Sequence, residues 1–274
     1  MQVIGLCRFS YPALGGFQVE HETVDARIAY LYAEERLEER FRLLETVALP
    51  GLRGQTDQDF DLIIVIGDSL PRRHRDRLHD LTADMPQARI LSEPPRRHRE
   101  VMKEILNTAR RDPDKPCLQF RHDDDDAVAT DFVERLRETA RDCAKLFART
   151  PTAAIDFNRG YIAEFGPEGI SAVPAISPYE TAALGMYAAG SVRQSIMNFA
   201  HHRIHHHMPS VTISDAPMWV RSHNGFNDSR QRRVPEAEVA PLTPKEELEF
   251  ATFFGIKAGR VREVFKPGQT GLCG

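Results

Sequence analysis

Pro116-Cys117-Leu118-Gln119-Phe120-Arg121-His122-Asp123-Asp124-Asp125-Asp126-Ala127 is the stretch on which the fold turns. Its apolar start has strand character, and it ends in four consecutive carboxylates. Such a run repels itself, and some of its pKa values rise unless a cation or a set of donors offsets the repulsion. A helix-like pattern follows, so the acids sit where a buried strand ends. In an extended segment alternate residues share a face. That places Asp123 and Asp125 on one side, the ligand side, and Asp124 and Asp126 on the other.

Working outward, the preceding residues repeat one scheme. Val3, Ile4 and Leu6 form a short strand ending at Arg8-Phe9-Ser10. From Ala33 to Leu49, Leu37, Phe41, Leu44 and Ala48 recur at helical spacing until Pro50 and Gly51 end the pattern. Leu62 to Ile66 is apolar without alternation, as in a central strand covered on both faces, and Gly67-Asp68-Ser69 closes it. A basic helix begins at Pro71, Arg89 to Leu91 reads as a strand, and Val101, Ile105 and Ala109 mark another helix. After the acids, Phe132, Val133, Leu136, Ala140 and Phe147 form a helical stripe. Strand and helix alternate, which predicts an α/β fold with a mostly parallel sheet and helices on both faces. Ligands bind beyond the carboxyl ends of such strands, where Arg8 to Ser10, Asp68 and Asp123 to Asp126 fall.

Beyond Pro151 the texture changes to short strands and helices. Ala153 to Phe157, Tyr161 to Phe165 and Ile170 to Val173 read as strands separated by turn signals. Ser177 to Gly190, rich in small residues, reads as a mobile loop. Ser191 to His207 reads as a helix with Val192, Ile196 and Phe199 inward, and Thr243-Pro244-Lys245-Glu246-Glu247 as a capped helix start.

Length and composition narrow the class. A chain of 274 residues buries a substantial core without staples. The cysteines, Cys7, Cys117, Cys143 and Cys273, form no Cys-x-x-Cys pair and read as free thiols in a reducing compartment. No signal-peptide pattern and no run of about 20 apolar residues is present, so a cytoplasmic protein is expected. With 36 basic residues interspersed among 40 acidic ones and a net charge of -4, a nucleic-acid partner is not indicated.

A solvated loop or a helix cap is the bland reading of the acidic run. Its place after an apolar strand favours a metal instead. Mg2+ and Mn2+ take a few carboxylates plus phosphate oxygens and water, and a bound diphosphate would complete such a site. The cation would then act as a Lewis acid on a departing nucleoside diphosphate.

Arg8-Phe9-Ser10, then Leu49-Pro50-Gly51-Leu52 with Gln55-Thr56-Asp57, Asp59-Phe60 and Gly67-Asp68-Ser69, then Arg121 with Asp123 to Ala127 together carry a resemblance. The sequence resembles a GT-A type glycosyltransferase, with its Rossmann-like sheet, and within that type the rhamnosyltransferase family. The resemblance covers the first 150 residues well and the rest loosely. It implies a nucleotide-sugar-binding half, residues 1–150, and an acceptor half, 151–274, of one domain. By the same resemblance Asp68 contacts the nucleobase or ribose, and the Asp-x-Asp motif falls on Asp123 and Asp125, with Asp126 adjoining, for ribose and Mn2+ or Mg2+. It also offers His223, beside Trp219 and Asn224, as a downstream metal ligand, against the reading of a surface histidine at an Asn-Gly turn.

Arg8, Ser10, Arg121, and the basic Arg96-Arg97 with Lys103 are candidates for the diphosphate, because guanidinium groups match its oxygens bidentately. An inverting transfer needs a general base, for which Asp215 and Glu180 are candidates, whereas a retaining one needs none. In the run His201 to His207, residues four apart would share a helix face at zinc-ligand spacing, though solvent-facing histidines are the plainer reading. The expected function is metal-dependent transfer of a sugar, rhamnose among the options, from a nucleoside diphosphate donor to a glycan or lipid-linked acceptor, with peripheral membrane contact compatible. A sugar nucleotidyltransferase is the alternative, although only Gly15-Gly16 hints at its phosphate loop. A non-catalytic metal- or sugar-binding module comes third.

Overall fold

The computed structural model describes residues 1–15, 21–223 and 238–267. Its strands are β1 (Gln2–Arg8), β2 (Asp61–Gly67), β3 (Ala88–Glu93), β4 (Cys117–Asp123), β5 (Ala127–Val128), β6 (Thr152–Phe157), β7 (Arg159–Gly166), β8 (Gly169–Ile176), β9 (Leu184–Ala188), β10 (Ser210–Ile213), β11 (Trp219–Ser222) and β12 (Ala240–Pro241). The α-helices are α1 (Val24–Leu31), α2 (Glu34–Leu43), α3 (Leu49–Arg53), α4 (Arg72–Thr82), α5 (His98–Thr108), α6 (Phe132–Asp142), α7 (Ala144–Phe147), α8 (Pro244–Phe254) and α9 (Ala258–Val264). Among the described residues the strands form a seven-stranded sheet, β10-β6-β9-β4-β1-β2-β3, and a five-stranded sheet, β12-β8-β7-β11-β5. β4, β1, β2 and β3 are parallel, as the alternation predicts. β9 runs antiparallel to β4 and β6 and joins the two halves of the chain in one sheet.

The unbroken apolar run of β2 has a simple cause. Leu62, Ile64 and Ile66 pack with Phe41 and Phe132 in the larger core, while Ile63 and Val65 pack with Val101 and Met102 of α5 in a second core across the sheet. β1 divides in the same way, with Val3 and Cys7 on the first side and Ile4 and Leu6 on the second. The period of two then aims Arg8 to the α5 side.

Three sequence expectations are corrected. Ser177 to Gly190 is not a mobile loop throughout, because Leu184–Ala188 is β9, with every residue buried. Its small residues serve packing: a Cβ on Gly185 would overlap the Leu136 side chain. Pro50 and Gly51 do not end the helical backbone. It passes through π-helical Leu44–Ala48 into α3, with Pro50 in the first turn. The Leu49 N–H donates to the Leu44 carbonyl, and the widened turn accommodates a residue that has no N–H to give. Ser191 to His207 is not one α-helix but contains 3-10 segments, Ile196–Asn198 and His201–His206. With about three residues per turn, positions four apart no longer align, which removes the zinc-like spacing of the histidines.

The terminal helix α8 follows its sequence. Thr243 and Glu246 form a reciprocal capping box, and Gly255 ends the helix at φ 69°. Asn224, Gly225 and Cys273 lie outside the described residues; Cys7, Cys117 and Cys143 are free thiols. Among the described residues no helix is long and apolar enough to cross a membrane.

Candidate functional site

β1 and β4 lie side by side in register, with Arg8 opposite Asp123 at their carboxyl ends. Asp123 is the last residue of β4 and receives Arg8 Nη2 at 3.6 Å and Arg121 Nη2 at 3.5 Å. Burial alone would raise its pKa, but the Arg121 and Arg8 guanidiniums outweigh that and hold the carboxyl well below the ordinary range.

The alternation expected through the acids stops here. Asp124 and Asp125 form a turn in which the Asp126 N–H donates to the Asp123 carbonyl at 3.3 Å. Both carboxylates then meet one cation, Arg40 of α2. Its Nε donates to Asp124 Oδ2 at 3.2 Å, its Nη2 pairs with Asp124 Oδ1, and its Nη1 donates to Asp125 Oδ2 at 2.8 Å. Asp124 and Asp125 are therefore not on opposite faces, because a turn has no period of two. Asp126 goes elsewhere, accepting the Ser222 N–H at 3.0 Å as the chain enters β5. Burial, followed by the charges of Asp125 and Asp123, pushes its pKa well above the ordinary range.

Around Asp123 stand two histidines that the sequence reading did not single out in these roles. His98, the first residue of α5, is pushed down to about 2 by burial, then by Arg8 and Arg121, so it is neutral. Its neighbours in the basic segment turn away: Arg96 pairs with Glu104 at 2.5 Å and with Glu93, and Arg97 pairs with Glu100. His201 is held down by burial, then by Arg121, and also senses Glu180 and Asp123. Only helix placement could have marked His98, since a histidine at an α5 start facing β1 is indistinguishable in sequence from a surface one.

The remaining predicted residues divide. Glu180 is buried in the same region; Arg221 Nη1 reaches its two oxygens at 3.3 and 3.2 Å, and Arg221 in turn faces Asp126 and Asp123. Ser10 is buried at φ 46°, and its Oγ accepts from Arg36 Nη1 at 3.2 Å. Asp68 is exposed just past β2, anchored through its N–H to the Glu93 carbonyl. His223 follows β11, with Arg221 and Glu164 rather than the acids among its charged neighbours, and its Nε2 is buried without a hydrogen-bond partner among the described residues. The structure does not bring Asp215 to the acids. Its carboxylate is clamped at the surface by Arg135 at 2.6 Å to both oxygens.

With this geometry in view, the family comparison is decisive. Residues 2–236 match the family model described as "Putative rhamnosyl transferase". The chain belongs to this family. No curated protein matches its sequence. Among solved structures it is similar to S. aureus TarS residues 1–349 in complex with UDP-GlcNAc (9% identity, TM-score 0.46, 97% of this chain and 70% of that one). It is also similar to a putative nucleotide-diphospho-sugar transferase from Desulfovibrio desulfuricans G20 (11% identity, TM-score 0.38, 81% of each chain). Against another TarS 1–349 structure the chain covers 60% of that chain's length, at TM-score 0.43. In this chain the acids stand at the end of β4, inside a mixed α/β sheet.

Whether a divalent cation fits is a question of the donor set. Hard carboxylate oxygens suit Mg2+ or Mn2+, and a cation beside Asp126 would favour its ionised form, which burial and the neighbouring acids disfavour. Among the described residues, however, no group of three or more His, Cys, Asp or Glu side chains is arranged to hold a metal ion. The protein supplies an open set of oxygens, not a closed cage, and Arg40 already occupies one side of it.

Proposed function

We propose that the chain is a metal-dependent glycosyltransferase, taking a sugar such as rhamnose from a nucleoside diphosphate donor to a hydroxyl of a glycan or lipid-linked acceptor. The observation that carries the reading is the meeting of Arg8, Arg121 and Asp123 at the ends of adjacent parallel strands. Guanidinium groups at a strand-end crevice match diphosphate oxygens, and the family description names the transferred sugar. Asp68, exposed at the end of β2, is placed in this reading against the nucleoside.

Asp123, Asp125 and Asp126 are the residues that would hold Mg2+ or Mn2+, with Asp125 shared with Arg40; the cation would offset charge on the departing diphosphate. His223 joins that set only as an outlying candidate. The residues' own work is to bind and to orient. Arg8 and Arg121 fix the diphosphate, and Arg221 holds Glu180 beside the acids. A protein acting on lipid-linked acceptors would work in the cytoplasm at the inner face of the membrane.

The test is calorimetric titration of the full chain with dTDP, UDP and GDP, with and without Mn2+, followed by nucleoside diphosphate release from dTDP-rhamnose. We expect Mn2+ to strengthen binding of one nucleotide, and Arg121→Gln to weaken it at least tenfold, about 1.4 kcal/mol. Full activity in Asp125→Ala, or pyrophosphate as the product, would overturn the reading.

A further inference from the structure

We propose that His201 is the catalytic base, taking the proton of the acceptor hydroxyl through Nε2. The inference rests on the nucleotide-sugar reading above and adds the residue that activates the nucleophile. His201 opens the 3-10 segment His201–His206, feels the charges of Arg121 and Asp123 at the end of β4, and its Nδ1 lies 2.8 Å from the Tyr179 carbonyl oxygen. A carbonyl only accepts, so Nδ1 carries the hydrogen and the lone pair of the neutral ring is on Nε2.

The orienting carbonyl is itself held. Tyr179 sits at φ 61°, its N–H donates to Asp156 Oδ1 at 2.8 Å, and Asp156 Oδ2 accepts from Thr212 Oγ1 at 3.0 Å. Nucleophile activation requires this order of parts: a base whose ring is turned by a third group that is fixed in place. The charged and titratable groups facing His201 are Arg121 and Asp123 from β4, Glu180 from the segment before β9, and the His202 ring at 5.3 Å on its own segment. Burial, then Arg121, keeps the ring neutral near pH 7, and the carboxylates of Glu180 and Asp123 would stabilise the imidazolium once formed.

The carboxylates proposed from sequence are worse placed for the task. Glu180 accepts from Arg221, from Ser177 Oγ at 3.3 Å and from the Thr181 N–H at 3.1 Å. Asp215 is clamped by Arg135. The oxygens of Glu180 are already engaged as acceptors, and the Arg135 hydrogen bond holds the Asp215 carboxyl below its ordinary range, which weakens it as a base. In the transfer, the hydroxyl oxygen bonds to the anomeric carbon while its proton passes to Nε2. The bond from that carbon to the diphosphate oxygen breaks, and its electron pair leaves with the diphosphate. Imidazolium returns the proton to water. A direct displacement of this kind inverts the anomeric centre.

The test uses the full chain, with water as the acceptor, and measures dTDP-rhamnose hydrolysis beside dTDP affinity. His201→Asn keeps a donor for the Tyr179 carbonyl and removes Nε2. Its expected behaviour is a dTDP Kd within about threefold of wild type and a turnover lower by about 100-fold or more, the scale of general-base catalysis. Added imidazole should restore part of the turnover of His201→Ala, which a purely structural role would not allow. Nitrogen-15 NMR should find the neutral His201 ring protonated on Nδ1. Turnover of His201→Asn within about threefold of wild type, loss of dTDP binding equal to the loss of turnover, or a hydrogen on Nε2 would each overturn the assignment. A wild-type chain that binds no nucleoside diphosphate refutes the donor reading before any variant is made, and the base assignment falls with it.

Discussion

Arg40→Met isolates the cost of the acidic turn. Arg40 is 4% exposed, and the carboxylates it pairs with are 4% exposed at Asp124 and 10% at Asp125. Removing the shared cation takes that counter-ion from two buried carboxylates, a loss of about 3–5 kcal/mol for a broken buried pair. Proton uptake sets a ceiling. An aspartate with an ordinary pKa of about 3.9 can shed its charge at a cost of about 4 kcal/mol at pH 7 and about 1.5 kcal/mol at pH 5. In the variant the folded state then binds protons that the unfolded state lacks, so its deficit shrinks as pH falls. Urea unfolding in chelator should show a deficit of about 3–4 kcal/mol at pH 7, or roughly 10 °C in Tm, falling below about 2 kcal/mol at pH 5. Adding Asp124→Asn and Asp125→Asn to the variant should recover at least half of the loss, because the buried charges are removed together with their counter-ion. A deficit under about 1 kcal/mol at pH 7, or one unchanged at pH 5, would refute the claim that Arg40 is the counter-ion of the turn.

Other perturbations read other parts of the site. Burial pushes His122 down to about 4, so between pH 6.5 and 4 the unfolded chain takes up a proton that the folded chain refuses, and stability falls as pH falls. His122→Leu should remove about 3 kcal/mol of that acid loss, read as urea midpoints at both pH values; equal slopes in the two proteins would exclude it. Asp126→Asn should raise the urea midpoint at pH 7 in chelator, since burial and neighbouring acids disfavour the charge, and the gain should vanish near pH 4, where Asp126 of the unfolded chain protonates as well. A lower midpoint at pH 7 would mean that the charge is compensated. Gly51→Ala should cost about 3 kcal/mol or more, or prevent folding, because its Cβ would overlap the Val128 carbonyl where α3 meets β5; thermal melting decides.

What the sequence made legible was set by period and position. The runs of β1, β2 and β4 could be read because both faces of each strand meet a core, so apolar residues persist without alternation. β9 was hidden for the opposite reason: a strand squeezed between neighbours and Leu136 needs small residues, and small residues imitate a loop. Proline misled at position 50 because the local rule against it assumes an ordinary α-turn, and the backbone there is π-helical.

The site shows the same division between near and far. Asp123 and Arg8 were legible from strand ends, since parallel strands bring their carboxyl termini to one edge whatever lies between them. Arg40, His98 and His201 lie far from the acids in sequence and reach them only through the packing of α2, α5 and the 3-10 segment, for which no spacing rule exists. The acidic run itself carried one strong message and one misleading one. Four adjacent carboxylates do demand compensation, and the structure supplies it as Arg8 and Arg121 for Asp123 and Arg40 for Asp124 and Asp125. Alternation failed because the turn hands Asp123 to Arg8 and Arg121, Asp124 and Asp125 together to Arg40, and Asp126 to the Ser222 N–H. Asp126 accepts a backbone N–H, and burial with the neighbouring acids favours its protonated form. Alternation thus placed on the far side a residue whose charge its surroundings resist.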